Sequence, residues 1–220
     1  MFETPQGLPP EDADRLAAVG GMKWAYLERT IRAGEASRRE ATPTEPPTAP
    51  GLRDWIARVG MLRYTMVIEE GWLLLNHMNM ALVVDPAQTV AVGVLAGDAG
   101  TGWPDPIRPK SRYPKGSAFA NAVAGTDLTL FSNAEAGHPE VLEPSAIESL
   151  DLWLLLTYRT IQGDKAMVYS ELSRPDSVSP SGYIVDWRDR VILPRLTFEE
   201  VIDGDGRDDD GGIDVLVEEI

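Results

Sequence analysis

The residues of this chain that could do chemistry are concentrated in one glycine-rich, basic loop, residues 97–116. The loop begins with GDAGTG and continues with cationic and aromatic side chains. After a strand, such glycines can turn several backbone N–H groups toward one anion, and nearby cations and aromatic rings could hold a phosphate or stack a base. The candidate residues for binding an anion or a nucleic acid are Gly97, Gly100, Gly102, Trp103, Arg108, Lys110, Arg112 and Lys115.

The loop departs from the two common phosphate-binding patterns. It lacks the Gly-Lys-Ser/Thr ending of a Walker loop, and Pro104 and Pro106 prevent the helix into which a dinucleotide-binding turn must open. A long surface loop with ordinary positive charges therefore stays open as an alternative.

A second candidate is the acidic C-terminal tail, residues 198–220. Ten acidic residues stand there against Arg207 alone, so the tail carries nine of the chain's fifteen net negative charges. The segment also ends in apolar residues, which a tail that serves only solvation does not need. It is predicted to be flexible and to dock on a basic surface of a partner protein; a disordered solubilising tail is the alternative. The residues expected to make this contact are Asp208, Asp209, Asp210, Ile213, Val215, Val217 and Ile220.

The sequence offers no catalytic or metal-binding pattern. The chain has no cysteine and two histidines, which removes thiolate metal sites and thiol nucleophiles. The tail mixes aspartate and glycine as calcium loops do, but Arg207 stands where an EF-hand needs an oxygen ligand. His77 and Asn79 would share one face of a strand, and no nucleophile or acid can be tied to them. The sequence therefore predicts no cofactor, no metal site and no catalytic residue.

Three helices are expected to precede the strands. Pro10, with Glu11 and Asp12 behind it, begins a first helix, and a second helix covers about residues 22–39. Residues 41–50 contain four prolines and favour an extended linker. The third helix is predicted to pack along one apolar stripe formed by Leu52, Trp55, Ile56, Val59, Leu62 and Met66.

Alternating apolar residues and turn signals predict three antiparallel hairpins. They pair residues 72–84 with 90–95, 152–159 with 166–172, and 183–187 with 191–193. The predicted fold is α+β, an antiparallel sheet built from hairpins with helices packed on one side. Its divisions are an N-terminal helical arm (1–40), a proline-rich linker (41–50), an α+β core (51–197) and the acidic tail (198–220). Packing of the arm on the core is left open.

Composition indicates the cellular location of the protein and the type of genome that encodes it. No apolar run is long enough to span a membrane, and the N-terminus lacks a secretory pattern, so we expect a cytoplasmic protein with no membrane partner. Sixteen arginines against four lysines suggest a bacterial genome rich in GC.

The predicted function is a non-enzymatic protein-interaction domain that uses its tail and surface loops to bind a protein partner. The alternative is a nucleotide or nucleic-acid binding domain, possibly an enzyme, that uses loop 97–116. A third possibility is that the tail folds onto this loop and regulates it.

Overall fold

A six-stranded mixed sheet and three helices make up the described part of this computed structural model, residues 7–77, 80–114 and 150–199. The helices are α1 (Pro10–Ala18), α2 (Trp24–Arg39) and α3 (Ala49–Glu70). The strands are β1 (Leu73–His77), β2 (Met80–Val84), β3 (Val90–Ala96), β4 (Asp151–Gln162), β5 (Lys165–Val178) and β6 (Ile184–Glu199). The predicted α+β class is confirmed.

The strands lie in the sheet in chain order, β1-β2-β3-β4-β5-β6. Four of the five pairings are antiparallel, but β3 and β4 run parallel, from Val90 opposite Asp151 to Ala96 opposite Thr157. A parallel pair cannot be joined by a tight turn, because the chain must return to the starting end of the sheet. Residues 97–150 make that return.

Two of the predicted hairpins differ from the observed strands. The segment 72–84, predicted as one strand, forms β1 and β2, which pair with each other and place His77 opposite Met80. The predicted third pair, 183–187 with 191–193, is wrong: both pieces belong to β6, which pairs with β5 over most of its length. The side chain of His77 and the whole of Asn79 lie outside the described residues.

Helices cover one face of the sheet, and the alternation of β4 shows how the two faces are used. Trp153 and Leu155 point into the cluster shared with the helices, whereas Leu152, Leu154 and Leu156 belong to a second cluster on the opposite face. Loop residues cover that second face, where Trp187 Nε1 donates to the carbonyl of Pro109 at 2.8 Å. The loop 97–114 is therefore anchored to the sheet.

The segment predicted as an N-terminal arm packs on the sheet. Side chains of α1 and α2 are buried in the same cluster as sheet residues such as Val92 and Leu155. They are Leu16, Tyr26, Leu27 and Ile31. Turns occupy the middle of the predicted linker, and α3 already begins at Ala49, inside it. The division of the chain into domains stays a prediction.

A buried ionic cluster fixes α3 against α2 and the sheet. Arg58 of α3 donates to Asp54 Oδ1 at 2.7 Å and to Glu35 Oε1 of α2 at 3.2 Å. Arg159 of β4 donates to the other oxygen of Glu35 at 3.1 Å. Gly34 lets the two helices approach at this point, since a Cβ there would overlap the side chains of Asp54 and Arg58. The N-terminal half of α3 is thus held beside the C-terminal half of α2.

Among the described residues, the helices include none with the length and apolar character needed to cross a membrane.

Candidate functional site

The glycine-rich loop uses its backbone N–H groups to bind carboxylates of this chain. Gly102 N donates to Glu171 Oε2 at 2.8 Å, and Gly100 N and Lys110 N donate to Asp98 Oδ1 at 3.0 and 3.1 Å. Gly97 N donates to the carbonyl of Thr157 at 3.0 Å. The amides that could have held an external anion are therefore engaged within the fold.

Glu171 and Arg190 anchor the loop to the sheet. Both side chains are buried, and Arg190 donates from Nε to Oε1 at 3.0 Å and from Nη2 to Oε2 at 2.7 Å. Arg190 also donates to the carbonyls of Trp103 and Ile107 at 2.8 and 2.9 Å. Burial alone would lower the pKa of the Arg190 guanidinium, but the hydrogen bonds and charge of Glu171 hold it above its ordinary value. Sequence reasoning missed this pair because the partners face each other only across β5 and β6.

The other predicted loop residues have separate neighbours. Arg108 pairs with Asp186, and its Nη1 donates to the carbonyl of Trp187 at 3.1 Å. The guanidinium of Arg112 lies 5.7 Å from the centre of the Tyr113 ring, and Lys110 is exposed. The predicted Trp103 stacks on Tyr169, with ring centres 5.6 Å apart.

Several predicted site residues lie outside the described part of the chain. Lys115 is one of them, as are the tail residues Asp208, Asp209, Asp210, Ile213, Val215, Val217 and Ile220.

The structure reveals an exposed apolar surface on α3. In the predicted packing stripe, Leu62 and Met66 are fully buried, whereas Leu52, Trp55 and Ile56 are 55, 42 and 55 % exposed. The prediction that the whole stripe packs is therefore wrong for its N-terminal half. We call Leu52, Trp55 and Ile56 the open end of α3.

The open end lies in the N-terminal half of α3. Twenty-two residues make a helix of about 33 Å. The helix packs against α2 and against β1, β2 and β3, and Glu35 of α2 holds its N-terminal half through Arg58. The apolar side chains of the open end remain about half exposed.

Arginines surround this end of the molecule. Arg53, beside Leu52, donates to Glu45 at 2.6 Å and lies 4.0 Å from Glu40, which caps α2. The hydrogen bonds from Arg53, and then from the Thr42 backbone N–H, lower the pKa of the Glu45 carboxyl. We call the basic side chains on the C-terminal half of α2, together with Arg53, the arginine end; they are Arg32, which pairs with Glu28 at 2.7 Å, and Arg38, Arg39 and Arg53.

Within residues 7–77, 80–114 and 150–199, no group of three or more potential ligands is placed to hold a metal ion. Comparison of the chain with protein-family models, curated proteins and solved structures finds no match.

Proposed function

We propose that this chain is a non-enzymatic protein-interaction domain that binds a partner protein through the open end of α3. The observation that carries the proposal is the stripe itself, buried at Leu62 and Met66 and exposed at Leu52, Trp55 and Ile56. A cluster of large apolar side chains on a rigid helix is typical of a protein-binding surface, because its burial on binding releases water without ordering a loop.

The charges around the open end indicate the chemistry of its occupant. Apolar side chains in the centre and arginines at the rim fit an amphipathic segment that carries apolar residues and carboxylates. The acidic tail supplies a second contact in the same proposal, directed at a basic surface of the partner. Its support is the sequence, which places aspartates 208–210 next to apolar residues.

The proposal also includes the organism class and the cellular location of the protein. The arginine-rich, cysteine-free composition supports a bacterial protein that acts in the cytoplasm.

Nucleotide or nucleic-acid binding by the loop is the second candidate. It is favoured by the exposed rings of Trp103 and Tyr113, which belong to the same loop as the exposed Lys110, since rings and cations together can stack bases. It is weakened by the loop amides, which donate to Asp98 and Glu171. Fluorescence anisotropy with a labelled single-stranded oligonucleotide tests it. Binding should fall in the Lys110→Ala, Arg112→Ala, Lys115→Ala triple variant and weaken with salt; salt-insensitive or absent binding removes this candidate.

Comparative affinity purification tests the proposed function. Tagged wild type and the Leu52→Ser, Ile56→Ser double variant are used to recover proteins from lysate of the source cells. The matched control is Tyr64→Ser, Ile68→Ser, which replaces two other exposed apolar residues of α3. We expect proteins that bind the wild type and the control and that are reduced at least about tenfold with the double variant, since one lost apolar contact costs about 1–3 kcal/mol.

Recovery that is equal for all three proteins contradicts the proposal. Circular dichroism of each variant checks that the fold is retained, which we expect because all four replaced side chains are more than half exposed.

A further inference from the structure

We propose that the apolar end of this chain's own tail, residues 213–220, occupies the open end of α3 when no partner is bound. The inference rests on the proposed function, because it treats the open end as a binding surface and names its occupant in the free protein.

The path of the chain brings the tail to this surface. The last described strand ends at Glu199, and the ring of the preceding Phe198 lies under Arg32 and Arg39, at 5.7 and 5.5 Å. Arg39 is followed by Glu40, which reaches Arg53 at 4.0 Å. The tail thus begins beside Arg39, at the same end of α2 as the Glu40 that reaches Arg53, the neighbour of Leu52.

The tail is also long enough to reach the whole of this surface. Thirteen residues separate Glu199 from Ile213, and an extended chain spans about 3.3–3.6 Å per residue. The available reach of about 45 Å exceeds the length of about 33 Å that α3 itself has.

Composition matches the tail to the surface. Residues 213–220 read IDVLVEEI, which joins five apolar side chains to three carboxylates, and aspartates 208–210 precede them. The open end offers apolar side chains, and Arg39 of the arginine end lies on the way to it, whereas Arg53 already pairs with Glu45. Apolar burial and charge pairing therefore favour the same placement of the tail.

Other occupants fit the surface less well. The connection after Pro114 leaves from the loop that covers the opposite face of the sheet, since Ser111 N donates to the carbonyl of Ile184 at 3.1 Å. A second copy would bring together two chains that each carry a net charge of −15, and like charge opposes their association.

Disulfide trapping tests the proposal in the full chain, which is suited to it because it contains no cysteine. One variant carries Ile56→Cys with Val217→Cys. The matched control carries Ile68→Cys with Val217→Cys; its helix position is also exposed and lies about 18 Å further along α3. The rate of intramolecular disulfide formation is measured by mass spectrometry under mild oxidation at low protein concentration.

We expect the first pair to close at least about tenfold faster than the control, because docking raises the effective concentration of the two thiols. Replacing aspartates 208–210 by asparagine should reduce this advantage. Equal rates for the two pairs overturn the proposal, and disulfides that form only between molecules assign the surface to a second copy instead. The disulfide experiment uses the protein without a partner. Its failure would therefore leave the proposed function standing, and that function is tested separately by affinity purification.

Discussion

At the scale of single residues, Glu171 shows how a carboxylate can organise a loop. It accepts hydrogen bonds from two nitrogens of Arg190, from Gly102 N and from Ser173 Oγ. Glu171→Gln removes the charge and leaves the buried guanidinium of Arg190 with the exposed carboxylate of Asp105, at 3.3 Å, in place of its buried counter-ion. We expect a loss of about 3–5 kcal/mol in the free energy of unfolding, measured with urea.

The control for this substitution is an exposed ion pair on neighbouring strands. Asp176 accepts a hydrogen bond from Arg188 Nε at 2.9 Å, and both side chains are largely in solvent. Asp176→Asn should change the free energy of unfolding by less than about 1 kcal/mol. A cost for Glu171→Gln no larger than that of the control would show that the loop does not depend on the buried pair.

Glu70 predicts a dependence of stability on pH. The hydrogen bond from the Lys23 ammonium, followed by that from the Tyr26 hydroxyl, lowers the pKa of the Glu70 carboxyl. A carboxyl with a lowered pKa in the folded state stabilises the protein above its unfolded pKa, and this stabilisation is lost as the pH falls through the folded pKa. Glu70→Gln should therefore flatten the decline of the melting temperature below about pH 4.5. Parallel curves for variant and wild type, followed by circular dichroism, would contradict this.

At the scale of elements, the close contact between α2 and α3 depends on a glycine, Gly34, which has no side chain. A Cβ at Gly34 would overlap Asp54 Oδ1 and Arg58 Nε. Gly34→Ala should therefore destabilise the protein by about 1–3 kcal/mol, because the helices must separate or the buried cluster must shift.

Gly60 is the matched position on α3, since a Cβ there meets no atom within 4 Å. Gly60→Ala should stabilise the protein by about 0.5–1 kcal/mol through its higher helix propensity. Thermal and urea unfolding of both variants measure the change in the free energy of unfolding. If this change has the same sign in both variants, the close approach of the helices at Gly34 is refuted.

Local patterns predicted the elements whose signals are local. The hairpin of β4 and β5 was placed correctly because its alternation and its Gly163 turn lie within one short stretch. The parallel pairing of β3 with β4 joins segments more than fifty residues apart, and periodicity carries no information about such a contact. Residues 78 and 79, between β1 and β2, include neither glycine nor proline, so one strand was expected where two occur.

The candidate site shows the same limit. Periodicity identified the apolar stripe of α3, but how much of a helix its neighbours cover depends on the tertiary arrangement. The sequence also showed the glycines of the loop, whereas the carboxylate that Gly102 binds comes from residue 171, on β5. The sequence showed the charge of the tail directly. That the tail begins beside Arg39 became known only from the position of β6 in the structure.

At the scale of the whole molecule, the tail and the open end together predict how the free protein associates. Deleting residues 203–220 removes eight acidic residues and one arginine, so it makes the net charge of −15 less negative by seven. Under our proposal it also uncovers Leu52, Trp55 and Ile56. Both effects favour self-association. Sedimentation velocity should therefore show more dimer or larger species for the shortened chain than for the full chain.

Two further variants separate the effect of charge from that of cover. Replacing aspartates 208–210 by asparagine in the full chain makes the net charge less negative by three and keeps the apolar end of the tail. It should cause less association than the deletion, which changes the net charge by seven and also removes that end. Adding Leu52→Ser and Ile56→Ser to the shortened chain should return it toward monomer, because the uncovered apolar surface is then gone. If the shortened chain stays associated after these two substitutions, its contact lies elsewhere, and the open end of α3 is not the surface that the tail protects.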